Sequence, residues 1–242
     1  MAKMMLKRIL LISGWGVGPE VLANFVDALR QQQFQVTLIN IFNPDDPVEH
    51  KQYVELAQQY DVLMGWSLGG QLASVLANAV WQLTGEAKIL ITLASNPCFV
   101  QNEYWQKAMP RTAFLAFQQS YIDDANACIK RFSYLICQGT PQVKQDWLTL
   151  QSLMKRQDFT QMKQGLETLS QLNTVEILQN YVGQQFHFLA QQDQLLTPQI
   201  ATDLRNLAAK FLKILIVDGS HAFPVTNPEP SAEQIVQICQ QL

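Results

Sequence analysis

Ser67, Asp193 and His221 are the residues of this chain whose types and surroundings fit nucleophilic acyl-transfer chemistry. Ser67 stands at the centre of Gly65-Trp66-Ser67-Leu68-Gly69. The apolar run Val62-Leu63-Met64 before it reads as a buried strand. After it, Leu68, Leu72, Val75, Leu76 and Ala79 recur at helical spacing. Strand, G-x-S-x-G, helix is the context that sets a serine on a tight, strained turn with its hydroxyl projecting from a sheet. The same turn puts the Leu68 N–H at a helix N-terminus, where it can donate to a developing oxyanion. A Gly-Ser turn between two core elements is the competing explanation, and the matching flanks favour the nucleophile.

A serine nucleophile needs a base and an acid to orient it. The chain has three histidines. His50 lies in a polar stretch ahead of the elbow, and His187 falls inside a strand pattern, which predicts a packed side chain. His221 follows the last strand pattern, in Val217-Asp218-Gly219-Ser220-His221-Ala222-Phe223, a loop opening on the same sheet edge as the elbow. It is the expected base. Asp193 follows the preceding strand, in Ala190-Gln191-Gln192-Asp193-Gln194-Leu195-Leu196-Thr197-Pro198, where a carboxylate can accept from the histidine Nδ1–H. Asp218 is the rival acid, better placed to cap its own loop. A second oxyanion donor is expected from Ser13-Gly14-Trp15-Gly16 after the first strand, with the Trp15 N–H as candidate. The Trp15 indole would wall the pocket, which is compatible with ordinary core packing.

The elements that must position these groups alternate. Arg8–Ile12, Phe34–Phe42, the elbow strand, Lys88–Ala94, Phe186–Ala190 and Phe211–Val217 read as strands. Pro19–Leu29, Val48–Gln59 and Ser231–Gln241 read as helices, and Asn43-Pro44-Asp45-Asp46-Pro47 as a turn. Such alternation predicts an α/β fold, a mostly parallel sheet covered by helices on both faces. Residues 101–180 carry no β-run and read as amphipathic helices inserted at the C-terminal edge of the sheet, where open α/β sheets bind ligands. The expected organisation is a core of residues 1–100 and 181–242 with residues 101–180 as a helical lid. The dispersed glutamines read as surface composition.

Bulk properties narrow the function class. With 242 residues, 48% hydrophobic and 15% charged, and a net charge of −3, the chain fits one soluble domain without the basicity of a nucleic-acid binder. No apolar stretch has membrane-span length. The segment from Met1 to Arg8 leads into an apolar run, Ile9–Ile12, too short for a signal-peptide core. The four cysteines (Cys98, Cys128, Cys137, Cys239) are irregularly spaced, expected as reduced buried thiols, and no pair has zinc-ligand spacing. A cytoplasmic monomer without metal or cofactor is expected.

With these pieces placed, the chain resembles the α/β-hydrolase superfamily, and within it the pimeloyl-[acyl-carrier protein] methyl ester esterases of biotin synthesis. The resemblance rests on Gly14-Trp15-Gly16, Gly65-Trp66-Ser67-Leu68-Gly69-Gly70, Ala94-Ser95-Asn96-Pro97-Cys98-Phe99, Lys130-Arg131-Phe132-Ser133-Tyr134-Leu135 with Gly139, Lys144-Gln145-Asp146 and Ser220-His221-Ala222. It implies an α/β-hydrolase fold with an inserted helical lid, a Ser67–His221–Asp193 triad, and oxyanion donors at Trp15 and Leu68. It further implies that Phe132, Ser133, Tyr134, Leu135 and Ile136 line an acyl channel, and that Lys130, Arg131 and Lys144 dock an acyl-carrier protein. Two positions depart from the family pattern. Ser13 stands where a histidine is usual, and Ala222-Phe223-Pro224 replaces Ala-Pro-Phe. Ala127 also takes one usually basic position.

Charge supports the carrier expectation separately. Residues 130–163 hold Lys130, Arg131, Lys144, Lys155, Arg156 and Lys163 against Asp146 and Asp158, a local excess of +4 in an acidic chain. Such a face steers an acidic partner, although solvated helix faces also carry cations. Three other readings stay open: a broad short-chain carboxylesterase, another reaction on the same fold such as carbon–carbon cleavage or a lyase, and a non-catalytic binder of a small ligand.

Overall fold

A computed structural model describes residues 7–196 and 199–240. The leader reading of the first six residues, the Thr197-Pro198 end of the acid loop and the Gln241 end of the last helix lie outside them.

Six strands form one sheet: β1 (Arg8–Ile12), β2 (Gln35–Ile39), β3 (Val62–Trp66), β4 (Ile89–Leu93), β5 (Gln185–Ala190) and β6 (Leu212–Val217). Their spatial order is β2-β1-β3-β4-β5-β6, and all neighbours are parallel. The inner strands β3 and β5 are buried at every residue, which explains why β3 reads as an unbroken apolar run rather than an alternating one, while β5 also buries Gln185 and His187. One face is covered by α2 (Pro47–Ala57), α3 (Leu68–Thr84), α8 (Val175–Asn180) and α9 (Ile200–Asn206). The other packs against α1 (Ala23–Gln31) and α11 (Pro228–Gln240) through Phe25, Leu29, Ala232 and Ile235. Between β4 and β5 run α4 (Arg111–Asp123), α5 (Ala125–Leu135), α6 (Val143–Leu153), α7 (Phe159–Gln171) and α8. A four-residue helix, α10 (Phe223–Thr226), precedes α11.

Local chemistry sets the boundaries. Asp46 caps α2, its Oδ1 accepting from Val48 N and Glu49 N, with Pro47 at the first helical position. The helix expected over Pro19–Leu29 is two pieces. Gly18 at φ 79° turns the chain into a 3-10 segment, Pro19–Leu22, and the Leu22 backbone (φ −91°, ψ 6°) interrupts the ladder before α1. The strand expected over Phe34–Phe42 is shorter, because beyond Ile39 the chain leaves the sheet and Asn40 turns into side-chain bonding. The glutamines are not all surface residues. Gln71 and Gln185 are buried, and their amides donate to the carbonyls of Pro97, Leu172 and Leu178. The four cysteines are free and buried. Among the described residues no helix is long and apolar enough to cross a membrane.

Candidate active site

Parallel strands deliver their following loops to one edge of the sheet, so residues remote in sequence meet there. β3 ends at the elbow, where Ser67 takes φ 56°, ψ −122°, a left-handed region costly for a side chain that bears a Cβ. The surroundings hold it there. Ser67 N donates to Leu93 O at 2.9 Å, and Ser95 Oγ donates to Ser67 O at 2.8 Å. Glycine is required on both sides for a steric reason. A Cβ at Gly65 would collide with the Gly69 carbonyl, and one at Gly69 with the carbonyls of Ile12 and Ser13.

The loops after β5 and β6 bring the other two groups. His221 Nε2 lies 3.0 Å from Ser67 Oγ, and His221 Nδ1 lies 2.8 Å from Asp193 Oδ2. All three are buried. The second carboxylate oxygen, Asp193 Oδ1, accepts from Leu195 N and Leu196 N at 2.8 and 2.9 Å, which fixes its plane. The loop bearing His221 is tied back by Trp66 Nε1, donating to His221 O at 2.9 Å. Gly139 passes over the acid loop so closely that a Cβ there would strike the Gln192 carbonyl. Asp218, the rival acid, is exposed and does not reach His221. His50 sits on α2 and neither bonds to the Ser67–His221–Asp193 file nor lines the cavity beside it.

Trp15 and Leu68 flank the serine, both buried. As the first residue of α3, Leu68 has an N–H with no intrahelical acceptor. Above Ser67 opens a cavity of about 240 Å³ walled by Trp15, Phe99, Met109, Phe114, Phe117, Phe132, Leu135, Leu169 and Leu196, with Asn96 as its other polar lining residue. Of the five residues expected along an acyl channel, Phe132 and Leu135 line this cavity; they sit three apart, on one face of α5. The other three point elsewhere. Ser133 Oγ accepts from Trp147 Nε1 and Gln151 Nε2, Tyr134 packs edge-on to Trp147, and Ile136 lies in the core beneath. Lys130, Arg131 and Lys144 are exposed, and none of them forms an ion pair among the described residues. A larger cleft of about 800 Å³ lies beside Gly16, Ile129 and Met154 and holds none of Ser67, His221 and Asp193, so volume alone would point away from the candidate site.

His187 is packed, as its strand position predicted. It is buried in β5, its Nδ1 lies 2.7 Å from Thr92 Oγ1, and its Nε2 has no partner among the described residues. Burial lowers its pKa from 6.5 to about 4. The unfolded chain therefore binds the extra proton between those values, so this group's contribution falls as pH drops from about 6.5 towards 4. His187→Gln should flatten that acid slope. In urea unfolding at pH 7 and pH 5, the native protein should lose about 2 kcal/mol more than the variant over the interval. Equal losses would assign the slope to other groups.

Parallel sheet, elbow and serine–histidine–aspartate file together define the class of fold: the chain has the α/β-hydrolase fold. Solved structures share its fold. A bromoperoxidase from Bacillus anthracis superposes with a TM-score of 0.80 over 98% of this chain and 92% of its own, at 14% identity. An esterase from Exiguobacterium antarcticum gives 0.78 over 97% and 92%, at 15% identity. Within that class the chain is similar to the pimeloyl-[acyl-carrier protein] methyl ester esterase of Pectobacterium atrosepticum, 26% identical over 96% of this chain and 94% of the relative. It is also 28% identical to a biotin biosynthesis bifunctional protein of Teredinibacter turnerae, covering 94% of this chain but spanning only 43% of that relative's length. No protein-family profile matches the chain.

Proposed function

We propose that this chain is a serine carboxylesterase that hydrolyses the methyl ester of a pimeloyl chain carried on acyl-carrier protein, freeing the carboxylate for biotin synthesis. The observation that carries the reading is the hydrogen-bonded file Ser67–His221–Asp193 opening into an apolar cavity. The names of the similar biotin-pathway relatives supply the substrate class. His221 Nε2 takes the Ser67 proton as Oγ attacks the ester carbonyl, and the Trp15 and Leu68 N–H groups receive the oxyanion. Collapse breaks the bond to methoxide, which leaves as methanol with the proton from His221. Water, deprotonated by His221, then attacks the acyl-enzyme and regenerates Ser67. The apolar wall suits the neutral ester and disfavours the carboxylate product, whose desolvation promotes release.

Residues 101–180 act as a lid in this reading, and Lys130, Arg131 and Lys144 present its docking face to the acidic carrier. The test compares kcat/KM for the carrier-linked pimeloyl methyl ester with that for a free short-chain methyl ester, at low and physiological salt. A preference for the carrier-linked ester that shrinks with salt, and shrinks likewise in a Lys130→Glu/Arg131→Glu/Lys144→Glu variant, is the expected result. Equal turnover indifferent to salt would leave a general esterase with a merely solvated lid.

A further inference from the structure

Ser13 lies in the loop that carries Trp15, and the structure places an unexpected set of partners behind it. Ser13 is buried, and its Oγ donates to Asn40 Oδ1 at 3.0 Å. The same oxygen accepts from Ile41 N at 2.8 Å, and because a backbone N–H can only donate, this fixes which way the Asn40 amide faces. Asn40 Nδ2 is thereby aimed away from the sheet. It donates to Gln157 Oε1 at 3.0 Å, just ahead of α7, and to Gln161 Oε1 at 3.1 Å on α7. Gln161 Nε2 returns to Ile41 O at 2.9 Å, closing the circuit.

The neighbouring donor residue is held by the same helix. Trp15 Nε1 donates to Met162 O on α7 at 2.7 Å, in a buried position. The indole stands edge-on to Phe117, Tyr121 and Phe132 of α4 and α5, with ring centroids 5.1–5.6 Å away. α7 approaches this closely because residue 165 is glycine. A Cβ there would lie 2.7 Å from Trp15 Cδ1 and 2.6 Å from Ile41 Cδ1. Among the described residues, the side-chain hydrogen bonds and aromatic contacts of Ser13 and Trp15 thus lead, directly or through Asn40, to the helical segment between β4 and β5.

We infer that α7 is a clasp on the oxyanion loop, with Asn40 and Gln161 as positioning residues that set the Trp15 N–H relative to Ser67. The inference rests on the serine-esterase reading, since it assigns Trp15 N–H as an oxyanion donor. Its consequence is regulatory. Movement of α7 away from the core breaks the Asn40–Gln161 and Trp15–Met162 bonds together, so the oxyanion hole is complete only while the helical block is seated. Hydrolysis is then coupled to lid closure even though Ser67, His221 and Asp193 stay aligned on the sheet edge.

The test uses Asn40→Ala and the double variant Gln157→Ala/Gln161→Ala on the full chain, assayed with a free methyl ester and a trifluoromethyl ketone, whose adduct with serine bears an oxyanion. Complete loss of an oxyanion donor costs about 10²–10³ in kcat, so displacing one should cost about tenfold or more, with KM little changed. Ketone affinity should weaken in proportion to kcat/KM, a correlation that general loosening of the fold would not produce. Unfolding midpoints identify any variant that has simply lost its structure, and the double variant, altered only at half-buried positions on and just before α7, guards against that outcome. Folded variants with unchanged kcat and ketone affinity would overturn the clasp while leaving the esterase reading intact. A native protein that neither turns over an ester nor binds the ketone would overturn the reading and the clasp with it.

Discussion

Replacing Ser67 by alanine should abolish ester turnover, with kcat falling by about 10⁶-fold and the fold unchanged. The magnitude follows from the serine's role as the group that forms the new bond. Without it, only oxyanion stabilisation and substrate binding remain, worth about 10³–10⁴ over water. The fold should survive because Ser67 Oγ makes no helix-capping bond, and the contact the structure gives it is with His221 Nε2. Backbone bonds to Leu93 and from Ser95 hold the turn, and both are independent of the hydroxyl. The unfolding midpoint should shift by less than about 4 °C, equivalent to about 1 kcal/mol for a chain of this size. A folded alanine variant that still hydrolyses ester at the native rate would end the serine mechanism.

Asp193→Asn should lower kcat by about 10⁴-fold, again without unfolding. The asparagine oxygen can keep the bonds from Leu195 N and Leu196 N, so the loop retains its shape. The amide nitrogen then faces His221 Nδ1 and can only donate. That forces the imidazole into the tautomer with its proton on Nε2, where it cannot take the Ser67 proton. The loss should appear in kcat, with KM little affected, because Asp193 is absent from the cavity wall. Asp218→Asn, at an exposed position, should change activity little, and the contrast between the two variants separates the rival acids. A variant at 193 with native kcat would contradict the assignment.

The grouping of Ser67, Asp193 and His221 was legible because each follows a strand at the same edge of the sheet, and strands announce themselves as largely apolar runs. The glycines around Ser67 marked a turn that only close backbone packing explains, and the structure shows that packing at Gly65 and Gly69. The three histidines were separable by context alone: one in a polar stretch, one within a strand, one in a loop past the last strand. Periodicity could not reveal the amide circuit behind the loop of Ser13 and Trp15. Asn40, Gln157 and Gln161 come from segments more than a hundred residues apart, and glutamine on a helix looks the same whether it meets water or a buried partner. The available hint was local: Asn40 interrupts Ile39 and Ile41, a polar side chain where the strand pattern asks for an apolar one. Orientation around α5 was equally hidden. Five consecutive residues cannot all face one cavity, and which of them do depends on where the helix packs.

The central claim, that Ser67 is the nucleophile, is tested most directly by titrating the native protein with a fluorophosphonate while following residual methyl-ester hydrolysis and locating the adduct by peptide mass. Activity should fall linearly to zero at one adduct per chain, the adduct should map to Ser67, and Ser67→Ala should take up none. Full hydrolysis by protein carrying a complete adduct at Ser67, or activity lost through an adduct elsewhere, would contradict it.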